Sequence, residues 1–356
     1  MQRLGIIASS LFLIGLAPSA LAGGFGEKTM RAPMPTTEVE RSLILPRGWV
    51  ETKVDFEQKV ATASWNSAGE RVDFDHSTWL YRTERLTLSL GYGPHSEMWF
   101  SVPFHQARLT QDRPDVPADY TQVDIRDNSI GDPKVGWRVE ILRTEAPLTS
   151  VVFNTYWKGP AASEAPGTFI GGPLNVQGFV FTTGTPDAYF GVAAKRQFGP
   201  ASFTLNAGYM RRFSSTVQYL IELENMQFLG RIAPGDELQV DTDLTVQAGP
   251  VALHAGTRGK TRAETRVGTT SGGIGVLRPD KPCGEGVDRG CLRPLAGSGG
   301  AALDVNVSAQ FMLSRGLDFH VGANIPVVGE DFMFFPIEDL HPTAGTTINV
   351  TLEARY

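Results

Sequence analysis

A chain of 356 residues with 39 glycines, 23 prolines and a mean hydropathy of −0.12 has no body segment that is predominantly apolar over the roughly 18 residues a spanning helix needs. A helical membrane protein is therefore excluded. The formal charge of −6, with only 20% of residues charged, argues against a nucleic-acid partner.

The N-terminus departs from the body. Arg3 precedes an uncharged, largely apolar stretch over residues 4–17, and Ala20-Leu21-Ala22 supplies a small-x-small cleavage pattern. Residues 1–22 read as a cleaved secretory signal peptide, too short to span and stay. Loss of Arg3 with it makes the net charge one unit more negative. No cysteine follows the cleavage site, so no N-terminal lipid anchor is expected. Residues 23–48 are polar and dotted with Pro33, Pro35 and Pro46, and read as a flexible periplasmic lead. That lead is too short to fill a wide lumen, although Leu43-Ile44-Leu45 is apolar enough to dock.

From Trp49 the chain alternates with the period of two that belongs to strands. Val50, Thr52, Val54, Phe56 and Val60 face one way, and Glu51, Lys53, Asp55, Glu57 and Lys59 the other. Next come Leu86, Leu88, Leu90 and Tyr92, whose face also carries Arg82 and Glu84; either this strand leaves the hydrocarbon early or a bulge shifts its phase. Met98, Phe100, Val102 and Phe104 follow, then Val135, Val139 and Ile141 against Lys134, Arg138 and Glu140. Further strands centre on residues 151–153, 190–194, 203–209, 238–246, 251–255, 303–311 and 317–325. In the 238–246 strand Asp241 and Asp243 share the inner face, and the next puts His254, Arg258 and Lys260 there. The last ten residues, 347–356, alternate Ile348, Val350, Leu352, Ala354 and Tyr356 against polar neighbours.

These make twelve strands, an even number, and short connections alternate with long ones. That is the pattern of an all-β transmembrane antiparallel up-and-down barrel over residues 49–356, with short periplasmic turns and long extracellular loops. Both termini then lie in the periplasm. If Gly249-Pro250 closes a two-residue hairpin, Ala248 pairs with Val251 and Asp241 faces Arg258. An aromatic-terminated final strand resembles the insertion signal of bacterial outer-membrane barrels, which implies outer-membrane lipid and the assembly machinery as partners of residues 347–356. A monomer is expected.

The expected lumen wall carries both signs. Its acids include Glu51, Asp55, Asp241 and Asp243, and its bases Lys53, Lys134, Arg138, Arg258 and Lys260. Mixed charge reads as bracing of the wall and not as strong ion selection. Twelve strands lie between the packed interiors of eight and the open channels of 16–18, so a narrow passage for a small solute is expected. The long loops carry Phe169-Ile170, Tyr219-Leu220-Ile221, Met226-Gln227-Phe228-Leu229 and Phe332-Met333-Phe334-Phe335. Either they pack as a cap or extend strands, or they form an apolar collecting site at the mouth, lined by Phe332, Phe334 and Phe335. Cys283 and Cys291, exported to an oxidising compartment, are expected to form one local disulfide worth about 2–3 kcal/mol.

No enzyme is expected. The chain has no G-x-S-x-G elbow, no H-E-x-x-H and no phosphate-cradling motif. His76-Ser77 and His95-Ser96 are adjacent pairs that a strand would point to opposite faces. No metal site and no cofactor are expected. Two readings remain, a channel and a sealed structural or surface-interaction barrel, with a barrel hydrolase a distant third.

Five stretches together resemble the bacterial outer-membrane family associated with the meta-pathway of phenol degradation. They are Leu45-Pro46-Arg47-Gly48, Phe100-Ser101-Val102-Pro103-Phe104, Gly131-Asp132-Pro133-Lys134-Val135-Gly136, Thr183-Gly184-Thr185-Pro186-Asp187 and Ile325-Pro326-Val327-Val328-Gly329. The resemblance runs from about Leu45 to Tyr356 and is one of pattern and order. It implies a β-barrel that passes apolar or aromatic compounds.

Overall fold

A computed structural model describes residues 35, 37–66, 68–74, 77–112, 122–161, 167–168, 184–221, 226–269, 293–294, 299–330 and 345–356. Among them no helix is long and apolar enough to cross a membrane; strands do the crossing. The strands are β1 (Val50–Ala61), β2 (Ser77–Gly93), β3 (Ser96–Asp112), β4 (Lys134–Glu145), β5 (Leu148–Lys158) and β6 (Asp187–Phe198). They continue with β7 (Ala201–Arg212), β8 (Glu237–Ala248), β9 (Val251–Arg262), β10 (Gly300–Ser314), β11 (Leu317–Gly329) and β12 (Thr347–Arg355).

Each strand pairs antiparallel with its neighbours in sequence, and β1 pairs with β12, so the sheet is a closed ring of twelve. The seam is fixed by reciprocal backbone hydrogen bonds, Val50 N to Tyr356 O at 3.1 Å and Tyr356 N to Val50 O at 2.9 Å. Two-residue turns at 94–95, 146–147, 199–200, 249–250 and 315–316 close one end, and every long connection lies at the other. The β8–β9 hairpin has the register that its Gly-Pro turn demands. Ala248 opposes Val251, Asp241 opposes Arg258, and the Arg258 Nε donates to Asp241 Oδ1 at 3.3 Å.

The alternation sorts the wall. Large apolar side chains such as Phe100, Trp157, Phe190, Leu205, Leu244, Leu253 and Ile348 are exposed on the outside, while most charges and hydroxyls of the wall turn inward. In water that exterior would be an aggregation surface; in hydrocarbon it is the matched solvent.

Apart from register shifts at Gly91–Gly93 and Met312–Ser314 beside the two-residue turns, the wall departs from strict alternation at three places. A bulge after Glu140 puts both Ile141 (65% exposed) and Leu142 (50%) on the outside and returns Arg143 to the lumen. A second, at Val327, lets Pro326 oppose Asp304 and Val328 oppose Leu303. Third, Gln122–Ile130 pairs with the outer half of β3, and the chain leaves the ladder at Gly131-Asp132-Pro133 before resuming as β4. Between β1 and β2, by contrast, the register is unbroken from Val50↔Leu90 to Ala61↔Trp79. Arg82 and Glu84 therefore keep the outward face without a bulge, and Arg82 donates to Gln58 on β1 at 2.9 Å.

The long connections carry more strand than their sequence shows. Ser215–Ile221 and Met226–Ala233 form a hairpin that prolongs β7 and β8, and Arg266–Thr269, Arg293–Pro294 and Gly167–Thr168 complete a five-stranded sheet there. The apolar runs 219–221 and 226–229 are thus strand residues and not free loop.

Because Leu244 faces outward, Leu244→Arg should destabilise the barrel in lipid vesicles by about 2–4 kcal/mol. Thr204→Arg, facing the cavity within, should cost less than half as much. Urea titration of vesicle-embedded protein reads both, and equal losses would mean the faces are misassigned.

Candidate pore and its N-terminal plug

The residues before β1, expected as the end of a flexible lead, are ordered inside the ring. At Gly48 the chain turns, with Gly48 N donating to Gly91 O at 2.7 Å. Leu45 and Pro46 then cross β2 so closely that a Cβ at Gly91 would lie 2.2 Å from Pro46 O. Upstream, a single 3-10 turn at Glu38–Glu40 and the buried side chains of Val39, Ile44 and Leu45 form a plug. The lead is short, but at this girth a few ordered residues reach across.

Polar contacts fasten the plug to seven strands, the Ser42 and Ser150 hydroxyls lying 3.3 Å apart at β5. Leu45 N donates to Glu97 on β3 at 2.8 Å, and Ser42 Oγ to Glu140 on β4 at 2.5 Å. Lys195 on β6 donates to Glu38 O at 2.7 Å, while Glu38 N donates to Gln247 on β8 at 3.0 Å. Gln310 on β10 donates to the Glu38 carboxylate at 3.3 Å. Arg41 bridges Glu38 at 3.0 Å and the fully buried Asp318 on β11 at 2.5 Å, and Arg355 on β12 holds the same Asp318 oxygen at 2.6 Å. Most of these wall partners lie within about five residues of a two-residue turn, so the plug closes the short-turn end of the bore.

Above the plug lies a cavity of about 640 Å³, within the usual range for small-molecule sites. Of the residues read as lumen-facing, Glu51, Lys53, Asp55, Lys134, Arg138, Asp243 and Arg258 border it. Asp241 sits between Arg258 and Asn206, whose Nδ2 donates to it at 3.1 Å. Lys260 occupies the same face of β9, opposite Gln239 and Ala302. His254 is tied into the wall, Nδ1 to Asp243 at 3.0 Å and Nε2 to Gln310 at 3.4 Å.

The sequence reading missed an aromatic stripe. Trp99 on β3, Tyr156 on β5 and Tyr189 on β6 all turn inward. Tyr156 and Tyr189 stack, with centroids 4.7 Å apart and planes at 11°, and Trp99 meets Tyr156 edge-on at 5.6 Å. Glycines let the rings lie flat on the wall: a Cβ at Gly136 would come within 2.4 Å of the Trp99 ring, and one at Gly208 within 2.1 Å of the Tyr189 hydroxyl. The signal was present, since Trp99 and Tyr156 occupy the inner parity of their strands and Gly136 faces Trp99 on the next strand.

Nearer the long-loop end a ladder of buried charges runs along six successive wall segments, acid and base in turn: Asp132, Lys158, Asp187, Arg212, Glu237, Arg262. Lys158 Nζ is 2.6 Å from Asp187 and 3.5 Å from Asp132; Arg212 and Arg262 reach Glu237 at 3.2 and 2.9 Å. Buried charges are tolerable when paired in this way, and the four inner members each have a partner on both sides. Phe332, Phe334, Phe335, Cys283 and Cys291 lie outside the described residues.

The fold defines a class, the transmembrane β-barrels of outer-membrane type. No protein-family model and no curated protein matches the chain. Among solved structures, an outer membrane channel from Pseudomonas putida F1 is similar over 91% of this chain and 100% of its own, with a TM-score of 0.61 and 10% identity. The translocator domain of autotransporter NalP from Neisseria meningitidis gives 0.44 at 8% identity, over 99% of this chain and 98% of that one. A mutant of the TodX monoaromatic hydrocarbon channel gives 0.41 at 6% identity, over 87% and 90%. At these identities the likeness is one of fold.

The plug's docking should depend on pH through Glu38. Burial alone would raise its carboxyl, but Lys195, Arg41 and Arg355 outweigh it and hold the group below its ordinary 4.5. A depressed value contributes stability that is complete above the ordinary value and is lost as pH falls through the depressed one. Amide hydrogen exchange over residues 38–45, corrected for intrinsic rates, should be steady from neutrality to about pH 5 and accelerate below 4.5. In Glu38→Gln the exchange should already be fast at neutral pH; unchanged protection there would mean the carboxylate does not anchor the plug.

Proposed function

We propose that this chain is an outer-membrane channel for passive passage of small apolar or aromatic solutes, with residues 37–46 as the element that limits flow. The observation that carries the reading is the cavity of about 640 Å³ in the bore, walled by Trp99 and Tyr156 and floored by the plug. A ring built only for strength would fill this volume with side chains. The Pseudomonas putida barrel of similar fold is described as an outer membrane channel, which agrees. Membership of the phenol meta-pathway family rests on the five sequence stretches and belongs to the same proposal.

In this reading residues 1–22 are cleaved on export, residues 347–356 present the barrel to the outer-membrane assembly machinery, and the protein works as a monomer. Phe332, Phe334 and Phe335 gather solute at the outer mouth, and Cys283 pairs with Cys291. In this reading the chain acts without catalysis, and His254 braces the cavity wall through Asp243 and Gln310.

The plug itself favours a second reading, a sealed structural barrel. Conductance separates the two. Removal of residues 37–45 should raise single-channel conductance in planar bilayers by about tenfold, because the lining left behind is a polar bore of intermediate strand number. A deletion variant that folds, by heat-modifiable mobility, yet conducts no ions would sink the channel and leave the sealed barrel standing.

A further inference from the structure

The cavity is more basic than the protein. The whole chain has a formal charge of −6, yet nine Lys or Arg side chains border the cavity against six Asp or Glu. The excess is not evenly spread. Lys134 Nζ lies 5.9 Å from the centroid of Tyr156, and the Arg138 guanidinium 5.8 Å from that of Trp99. Two cations therefore stand beside two aromatic faces on adjoining strands, at one place on the wall. Arg138 is also bonded to Glu97 at 2.9 Å, which fixes its head above the plug. Tyr156 is backed by Tyr189 and so presents its other face to the bore, and Gly136 keeps the Trp99 ring flat against the wall.

A neutral aromatic would use the rings and make no use of the cations beside them. A simple anion would use the cations and leave the rings. Resting on the channel reading above, we infer that this mid-bore wall is a binding site for small aromatic carboxylates, the ring stacking beside Trp99 and Tyr156 and the carboxylate meeting Lys134 and Arg138. Charge-assisted hydrogen bonds and ring stacking are additive here because the two contacts lie at opposite ends of one ligand. The geometry also discriminates. Reversing the ligand's charge sets an ammonium against the basic excess, and removing its ring forfeits the stack.

Benzoate is the probe, with acetate and benzylammonium as the ringless and charge-reversed controls. Equilibrium dialysis of purified, detergent-solubilised protein should show benzoate bound at least about tenfold more tightly than either control. Lys134→Gln and Arg138→Gln should each weaken benzoate by about tenfold, the usual loss for one hydrogen bond to a charged group. Arg138 also supports Glu97, so Lys134→Gln is the variant that leaves the plug contact untouched. In planar bilayers the same protein should prefer chloride to potassium, and benzoate should reduce its current where acetate does not. Equal binding of benzoate and acetate, or no loss in Lys134→Gln, overturns the inference whether or not the barrel conducts. Selective benzoate binding by a barrel that passes no current would uphold the site and defeat the channel.

Discussion

In hydrocarbon a backbone amide has no water to turn to, and each unpaired group costs several kcal/mol. That requirement underlies every other feature of this molecule. It forces β1 onto β12, with Val50 and Tyr356 exchanging hydrogen bonds at the seam. Closure in turn divides each strand into a lipid face and a lumen face, and gives the lumen polar walls that would be intolerable in a dry core. Where the ladder is broken, at Gly131-Asp132-Pro133, the chain compensates: Gly131 N bonds Pro103 O at 3.0 Å, and Asp132 is buried against Lys158.

A polar lumen is a hazard of its own, because buried charges destabilise unless partnered. Two devices meet it. Near the long loops, the alternating ladder from Asp132 to Arg262 pairs charge with charge along half the circumference. At the short turns, the plug supplies the missing partners: Asp318 has Arg41 on one side and Arg355 on the other, and Glu97 and Glu140 each receive a donor from the plug. Breaking such a buried pair by deleting one partner typically costs about 3–5 kcal/mol, which is why the plug is part of the folded barrel. The cavity lies between the two, where neither fills the bore.

Much of the wall was legible because period-two alternation is an unambiguous signal when one face meets lipid. Twelve strands, the side of the short turns, the Asp241–Arg258 pairing and the inner parity of Lys53, Lys134 and Asp243 all follow from it. What the pattern hid had other causes. Bulges such as that at Ile141 break parity without any residue that marks them. Residues 37–46 carry no periodicity, since an irregular segment is held by contacts far away in sequence and leaves no local trace. Trp99 and Tyr156 were readable by parity but lost among outward aromatics; only the glycines opposite, Gly136 and Gly208, distinguish a ring lying on the wall from one in lipid. The motifs of the family resemblance turn out to mark architecture. Asp132 and Asp187 flank Lys158, and the Leu45–Gly48 stretch is the bend into the bore.

The placement of the plug has a consequence for the order of assembly. It precedes β1 and is therefore the first part of the barrel to leave the ribosome, yet Glu38 meets Gln310 and Arg41 meets Asp318 at separations of 272 and 277 residues. Those partners take their positions only once the penultimate strand is in place. The earliest-made part of the barrel can therefore complete its set of partners only after nearly all of the wall has been synthesised.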